Sequence, residues 1–97
     1  MEIRQRSISS IEPYGKNAKK HPEKQVQQIA NSIKEFGFGQ PIVVDKQGVI
    51  IVGHGRYLAA HLIGMDIVPV LEMDLDEEKV KAYRLADNKL NESEWDM

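Results

Sequence analysis

The stretch VIIVGHGRYLAA, residues 49–60, joins four apolar β-formers to Gly53-His54-Gly55-Arg56 and then to helix-forming residues. It reads as strand, tight turn, helix. The first N–H groups of a helix have no intrahelical acceptor, and together with the helix dipole they make a seat for an anion. Arg56, in the first turn, stands where it can close that seat, because a guanidinium grips phosphate or carboxylate as a fork. Two readings stay open from these residues: a phosphate site, or a glycine turn that is only a turn with its arginine in water.

Toward the N-terminus, Pro41-Ile42-Val43-Val44 and residues 49–52 flank Asp45-Lys46-Gln47-Gly48. They read as a hairpin with a left-handed position or bulge at Gly48, and Pro41 suits a strand's first residue. Before it, Pro22 suits the first position of a helix in which Val26, Ile29, Ala30, Ile33 and Phe36 recur at three- and four-residue steps up to a left-handed cap at Gly37. The other face, with Lys24, Gln27, Gln28, Asn31, Lys34 and Glu35, is polar and reads as solvated or partner-facing. Residues 2–8 read as a first strand with Ile11 packed at its end. Pro13-Tyr14-Gly15-Lys16-Asn17 is turn chemistry, which makes the basic segment through His21 a loop.

Toward the C-terminus, the helix after the glycine turn stops at Gly64 after about two turns, so packing rather than propensity must hold it. Residues 67–73 read as a last strand, and Pro69, which lacks an N–H, assigns it to a sheet edge. Asp74 with Glu77 forms a capping pattern for a third helix through Val80, Ala82, Tyr83, Leu85 and Ala86, ending near Asn88. Residues 93–97, with Trp95, read either as an anchored tail or as the point from which a longer chain or a partner continues.

Ninety-seven residues bound the chain to one domain, residues 1–97. The absence of cysteine excludes disulfides, thiolate metal sites and cysteine nucleophiles. No apolar run reaches the length of a membrane span and the N-terminus lacks the apolar core of a signal peptide, so a cytoplasmic protein with no membrane partner is expected. The net charge of −2 hides an asymmetry: residues 1–36 carry seven Lys/Arg against four Asp/Glu, and the remainder six against eleven. Lys16, Lys19 and Lys20 are the candidate DNA-phosphate contacts, predicting weak and non-specific DNA binding. His21, His54 and His61 are too scattered to assign a metal site.

Taken in order, the first helix, Gly37-Phe38-Gly39-Gln40-Pro41-Ile42, the hairpin, Val52-Gly53-His54-Gly55-Arg56-Tyr57, the strand and the helix ending Ala86-Asp87-Asn88 resemble the N-terminal domain of ParB, in the ParB/sulfiredoxin superfamily. The segments Lys16-Asn17-Ala18-Lys19-Lys20-His21 and Leu85-Ala86-Asp87-Asn88-Lys89-Leu90 resemble ParB-like domains of phage and mobile elements that accompany DNA methyltransferases. The resemblance implies a small α/β (α+β) domain, with a mixed sheet of about four strands and three to four helices. It implies a nucleoside triphosphate, CTP as in ParB or ATP as in sulfiredoxin, commonly with Mg2+. By position it assigns Gly37, Gln40, Gly53, His54, Gly55, Arg56 and Asn88 to the nucleotide.

This chain also departs from the family. His54 and Gly55 stand where ParB usually has an acid and an arginine, and Lys89, Leu90 and Asn91 replace a Gln-Arg continuation. The choice of nucleotide and its hydrolysis are thereby left unassigned. Sulfiredoxin has its catalytic cysteine at the position of His54, and a chain without cysteine cannot run that reaction. The expected function is a nucleotide-binding, DNA-associated module accessory to a DNA methyltransferase or another DNA-processing partner, alone or as a piece of a longer protein. The alternatives are a metal-dependent nuclease or NTPase using His54 and Asp87 as catalytic candidates, and a protein-interaction domain whose glycine turn is structural. Oligomeric state is not legible.

Overall fold

The apolar runs of the sequence become short strands in a computed structural model, which describes residues 2–15 and 22–95, the last nine as helical backbone only. In chain order these are β1 (Ile3–Ser7), a 3-10 turn (Ile8–Ser10), α1 (Glu23–Phe36), β2 (Ile42–Val44), β3 (Ile50–Val52), α2 (His54–Leu62), β4 (Ile67–Glu72) and α3 (Glu77–Trp95). The strands form one mixed sheet in the order β1-β4-β2-β3. β1 pairs antiparallel with β4, β4 parallel with β2, and β2 antiparallel with β3.

All three residues of β2 are buried, which is the pattern of a strand covered on both faces. Ile42, Val44, Ile50, Val68 and Val70 pack on one face with Ile8, Ile11 and Ala60, and Phe38, Tyr57 and Met65 close over them. Behind that layer α1 and α2 meet through Ala30, Ile33 and Ala59. On the opposite face Val43, Ile51 and Val80 form a smaller cluster with Leu71, Leu75 and Tyr83, so α3 covers the β2–β3 half of the sheet. Over the β1–β4 half of that face Ile3 and Ile67 remain 58% and 55% exposed.

Several expectations are corrected. β4 is central, not an edge: the parallel ladder to β2 begins at Val70, one residue beyond Pro69, so the proline falls before its first rung. Phe36 is not a core residue but 82% exposed, because α1 ends there and Phe38, past the glycine, fills both clusters instead. Pro22 is the N-cap of α1 rather than its first helical residue. The third helix runs to Trp95, since no glycine or proline interrupts residues 89–95. Its cap is Asp76, whose Oδ1 accepts the Lys79 N–H at 2.9 Å, while Asp74 pairs with Lys46 at 2.8 Å across to the hairpin. That pairing raises the Lys46 pKa above its ordinary value through the hydrogen bond and the carboxylate charge of Asp74.

The hairpin turn is held by Asp45, whose Oδ1 accepts from the N–H groups of Gln47 and Val49. Gly48 takes the positive φ expected of it, 82°, whereas the break in register lies at Val43/Val44.

Candidate functional site

Gly53 ends β3 with φ 103° and ψ 26°, a left-handed conformation that turns the chain directly into α2. A Cβ at this position would lie 3.1 Å from Arg56 Nη2 and 3.3 Å from Ile42 Cα, so the backbones of the turn and of β2 approach through the space that a side chain would fill. Having no side chain, Gly53 cannot cap the helix it opens. The N-terminus of α2 is thus a cradle of backbone donors with the positive end of the dipole behind it.

Arg56, half-buried, donates from Nη2 to the Pro41 carbonyl at 3.1 Å. This bond brings together two stretches that lie apart in sequence, the Gly37–Pro41 connection and the Gly53–Arg56 turn. Gly37 caps α1 with φ 80°, its N–H donating to the Ile33 carbonyl, and both Gly37 and Gln40 lie exposed on the connection. Gly55 is buried in the first turn of α2. Arg56 is therefore both a candidate anion ligand and a brace between the two loops that would flank the anion.

His54 is the first residue of α2 and is only 4% exposed. Its Nε2 accepts the Tyr14 N–H at 3.0 Å, which requires the proton of a neutral ring to sit on Nδ1. The segment carrying Tyr14 reaches this point by running beside β3: Glu12 bridges Val49 in parallel, its N–H donating to the Gly48 carbonyl and its carbonyl accepting from Ile50. Lys16, Lys19 and Lys20 follow Tyr14 in sequence and, with His21, lie outside the described residues. Asp87 and Asn88 fall on the α3 backbone, and their side chains are outside the described set. Among the described residues, no group of three or more His, Cys, Asp or Glu side chains could hold a metal ion. No described helix is long and apolar enough to cross a membrane.

Sequence reasoning missed Arg84. Its Nε and Nη2 both donate to the Ile50 carbonyl, at 3.2 and 3.1 Å, and its guanidinium carbon sits 4.0 Å from the centroid of the Tyr14 ring. Burial lowers its pKa from the ordinary arginine value. The one signal available was an arginine on the face of α3 that also carries Val80, but its partners come from a loop and a strand far away in sequence.

The chain superposes on the C-terminally truncated chromosome-partitioning protein ParB from Caulobacter crescentus, a structure complexed with CTP-gamma-S, with a TM-score of 0.80 and 25% identity over 91% of this chain and 53% of that one. It also superposes on sulfiredoxin from Arabidopsis thaliana, with a TM-score of 0.71 and 17% identity over 86% of this chain and 97% of that one. The molecule is a small α+β domain of the ParB/sulfiredoxin fold. Residues 1–89 match the ParB N-terminal domain, and the chain belongs to that family.

Among its relatives, the ParB-like nuclease domain-containing protein YnaK of Escherichia coli is 42% identical over 81 residues, 81% of this chain and 93% of that protein. The probable chromosome-partitioning protein ParB of Campylobacter jejuni is 33% identical over 91 residues, 91% of this chain but 31% of that protein. The chain thus spans about a third of the length of that ParB relative.

Proposed function

We propose that this domain binds a nucleoside triphosphate, its phosphates seated on the Gly53–Arg56 turn and flanked by Gly37 and Gln40, and that it works beside DNA with a methyltransferase or another DNA-processing partner. The observation that carries the first part is the turn itself. A left-handed glycine, where a Cβ would press on Ile42 Cα and the Arg56 guanidinium, opens a helix whose N-terminus no Gly53 side chain can cap, and an arginine braces the neighbouring loop. The fit is chemical as well as spatial: backbone N–H groups, a helix dipole and a guanidinium all favour a polyanion.

Support comes from the fold likeness to a ParB solved with a CTP analogue. Mg2+, as the counter-ion of the triphosphate, belongs to the same proposal. His54, whose Nε2 accepts the Tyr14 N–H, would position the turn.

Calorimetric titration of CTP, ATP, GTP and UTP, with and without Mg2+, tests the reading, with the bare nucleosides as controls. A triphosphate that binds where its nucleoside does not is the expected result. No binding by any triphosphate, or equal binding by the nucleoside, would remove the phosphate site and leave the glycine turn as structure for a protein-interaction domain. The partner is tested separately by co-purification of the full-length protein with a DNA methyltransferase.

A further inference from the structure

We infer that Arg84 is a positioning residue for the nucleotide site: with Tyr14 it forms a latch on the edge of β3 that fixes His54 and so presets the first turn of α2. This inference rests on the nucleotide reading above. The latch has three contacts in series. Arg84 holds the Ile50 carbonyl with two donors, Tyr14 lays its ring against the guanidinium, and the Tyr14 N–H donates to His54 Nε2. Each link joins a different element, so α3, the N-terminal segment and α2 are tied at one place.

The physical case begins at the sheet edge. β3 ends the sheet among the described residues, and on its outer side, where Glu12 accepts the Ile50 N–H, the Ile50 carbonyl meets no further described strand. An outward carbonyl on an edge strand needs a donor, and Arg84 supplies two. That role alone would need no aromatic partner. Tyr14 adds the second face: a ring 4.0 Å from the guanidinium carbon is well inside the range of cation–π attraction, which strengthens as the cation is desolvated. Partial burial of Arg84 is in the same sense.

The consequence is felt at the anion seat. His54 is the residue after Gly53, so a restraint on its ring restrains the peptide that opens α2. Without the latch the N-terminus of α2 must be ordered when the ligand arrives, and the ordering cost is subtracted from affinity. With it, the donors already point at the phosphates. The same anchor fixes the point from which the chain continues toward Lys16, Lys19 and Lys20.

The test uses the full 97-residue chain and the variants Arg84→Met, Arg84→Lys, Tyr14→Leu and Tyr14→Phe, each checked for native circular dichroism at the working temperature. Amide hydrogen exchange at residue 14 is followed in the ligand-free protein, and affinities for CTP, ATP, GTP and UTP with Mg2+ are then measured. Arg84→Met and Tyr14→Leu are expected to speed exchange at Tyr14 and weaken binding about ten-fold each. The double variant should bind no more weakly than either single one, because both remove one coupled restraint. Tyr14→Phe keeps the ring and should match the parent, and Arg84→Lys should recover part of the loss. If the parent binds a triphosphate and the folded Arg84→Met and Tyr14→Leu variants bind it equally well, Arg84 is purely structural and the inference falls while the nucleotide reading stands. A parent that binds no triphosphate overturns that reading, and this inference with it.

Discussion

Gly53 has a φ of 103° that an L side chain adopts only under strain, and a methyl group there would sit 3.1 Å from Arg56 Nη2 and 3.3 Å from Ile42 Cα, closer than ordinary contact. Gly53→Ala should therefore cost about 1–3 kcal/mol in urea unfolding, from backbone strain and from displacing Arg56. A variant as stable as the parent would show that the turn relaxes freely. Arg56 has a structural contact and a proposed ligand role, and two readouts on one substitution test them. Its bond to the Pro41 carbonyl makes Arg56→Ala destabilising by about 1–3 kcal/mol, whereas an arginine facing only solvent and ligand would leave the melting temperature unchanged. Loss of a charge-assisted phosphate contact should also lower triphosphate affinity about ten- to hundred-fold. Equal affinity in variant and parent would remove Arg56 from the site, whatever happened to stability.

At the scale of elements, α1 shows what periodicity reveals and where it stops. Ala30 and Ile33 are buried with Val26 and Ile29 packed beside them, as three- and four-residue spacing demands, yet Phe36 at the next step lies in solvent. Ile33→Ala should cost about 2–5 kcal/mol in thermal or urea unfolding. Phe36→Ala should stay within about 0.5 kcal/mol of the parent, and a large loss there would place Phe36 against a partner surface. Strands, helices and the glycine turn were legible because each is written in a local run of residues. Local spacing could not show that Pro69 lies in a central strand, because strand order is set by which faces α1, α2 and α3 cover. Nor could it show Asp76 rather than Asp74 as the cap, since Asp74 is drawn away by Lys46 from the hairpin. The candidate site divides the same way. Gly53, Gly55 and Arg56 lie within four consecutive residues and could be read as a turn, while Tyr14, Ile50 and Arg84 meet only through the fold.

For the molecule as a whole, the arrangement of its cations bears on how it meets DNA. Three of the four arginines donate to backbone carbonyls of their own chain: Arg6 to Ser10, Arg56 to Pro41 and Arg84 to Ile50. Guanidinium groups held this way serve the fold first, and the side chains best suited to reading guanine edges are withdrawn from that task. Gln27 and Asn31, which could in principle read adenine, donate and accept between themselves at 3.1 Å on the exposed face of α1. The proposed phosphate contacts are Lys16, Lys19 and Lys20, which would carry affinity without sequence information. Three such contacts predict a slope of log K against log salt of about −3, so binding by this domain should be weak, indifferent to sequence and largely lost at physiological salt. Fluorescence anisotropy with a specific and a scrambled duplex at two salt concentrations measures all three properties. Lys16→Ala with Lys19→Ala should flatten the slope by about two and weaken both duplexes alike. Tight binding to one duplex that survives physiological salt would mean that this domain reads sequence by itself, and the proposal of an accessory module beside a DNA-processing partner would fall.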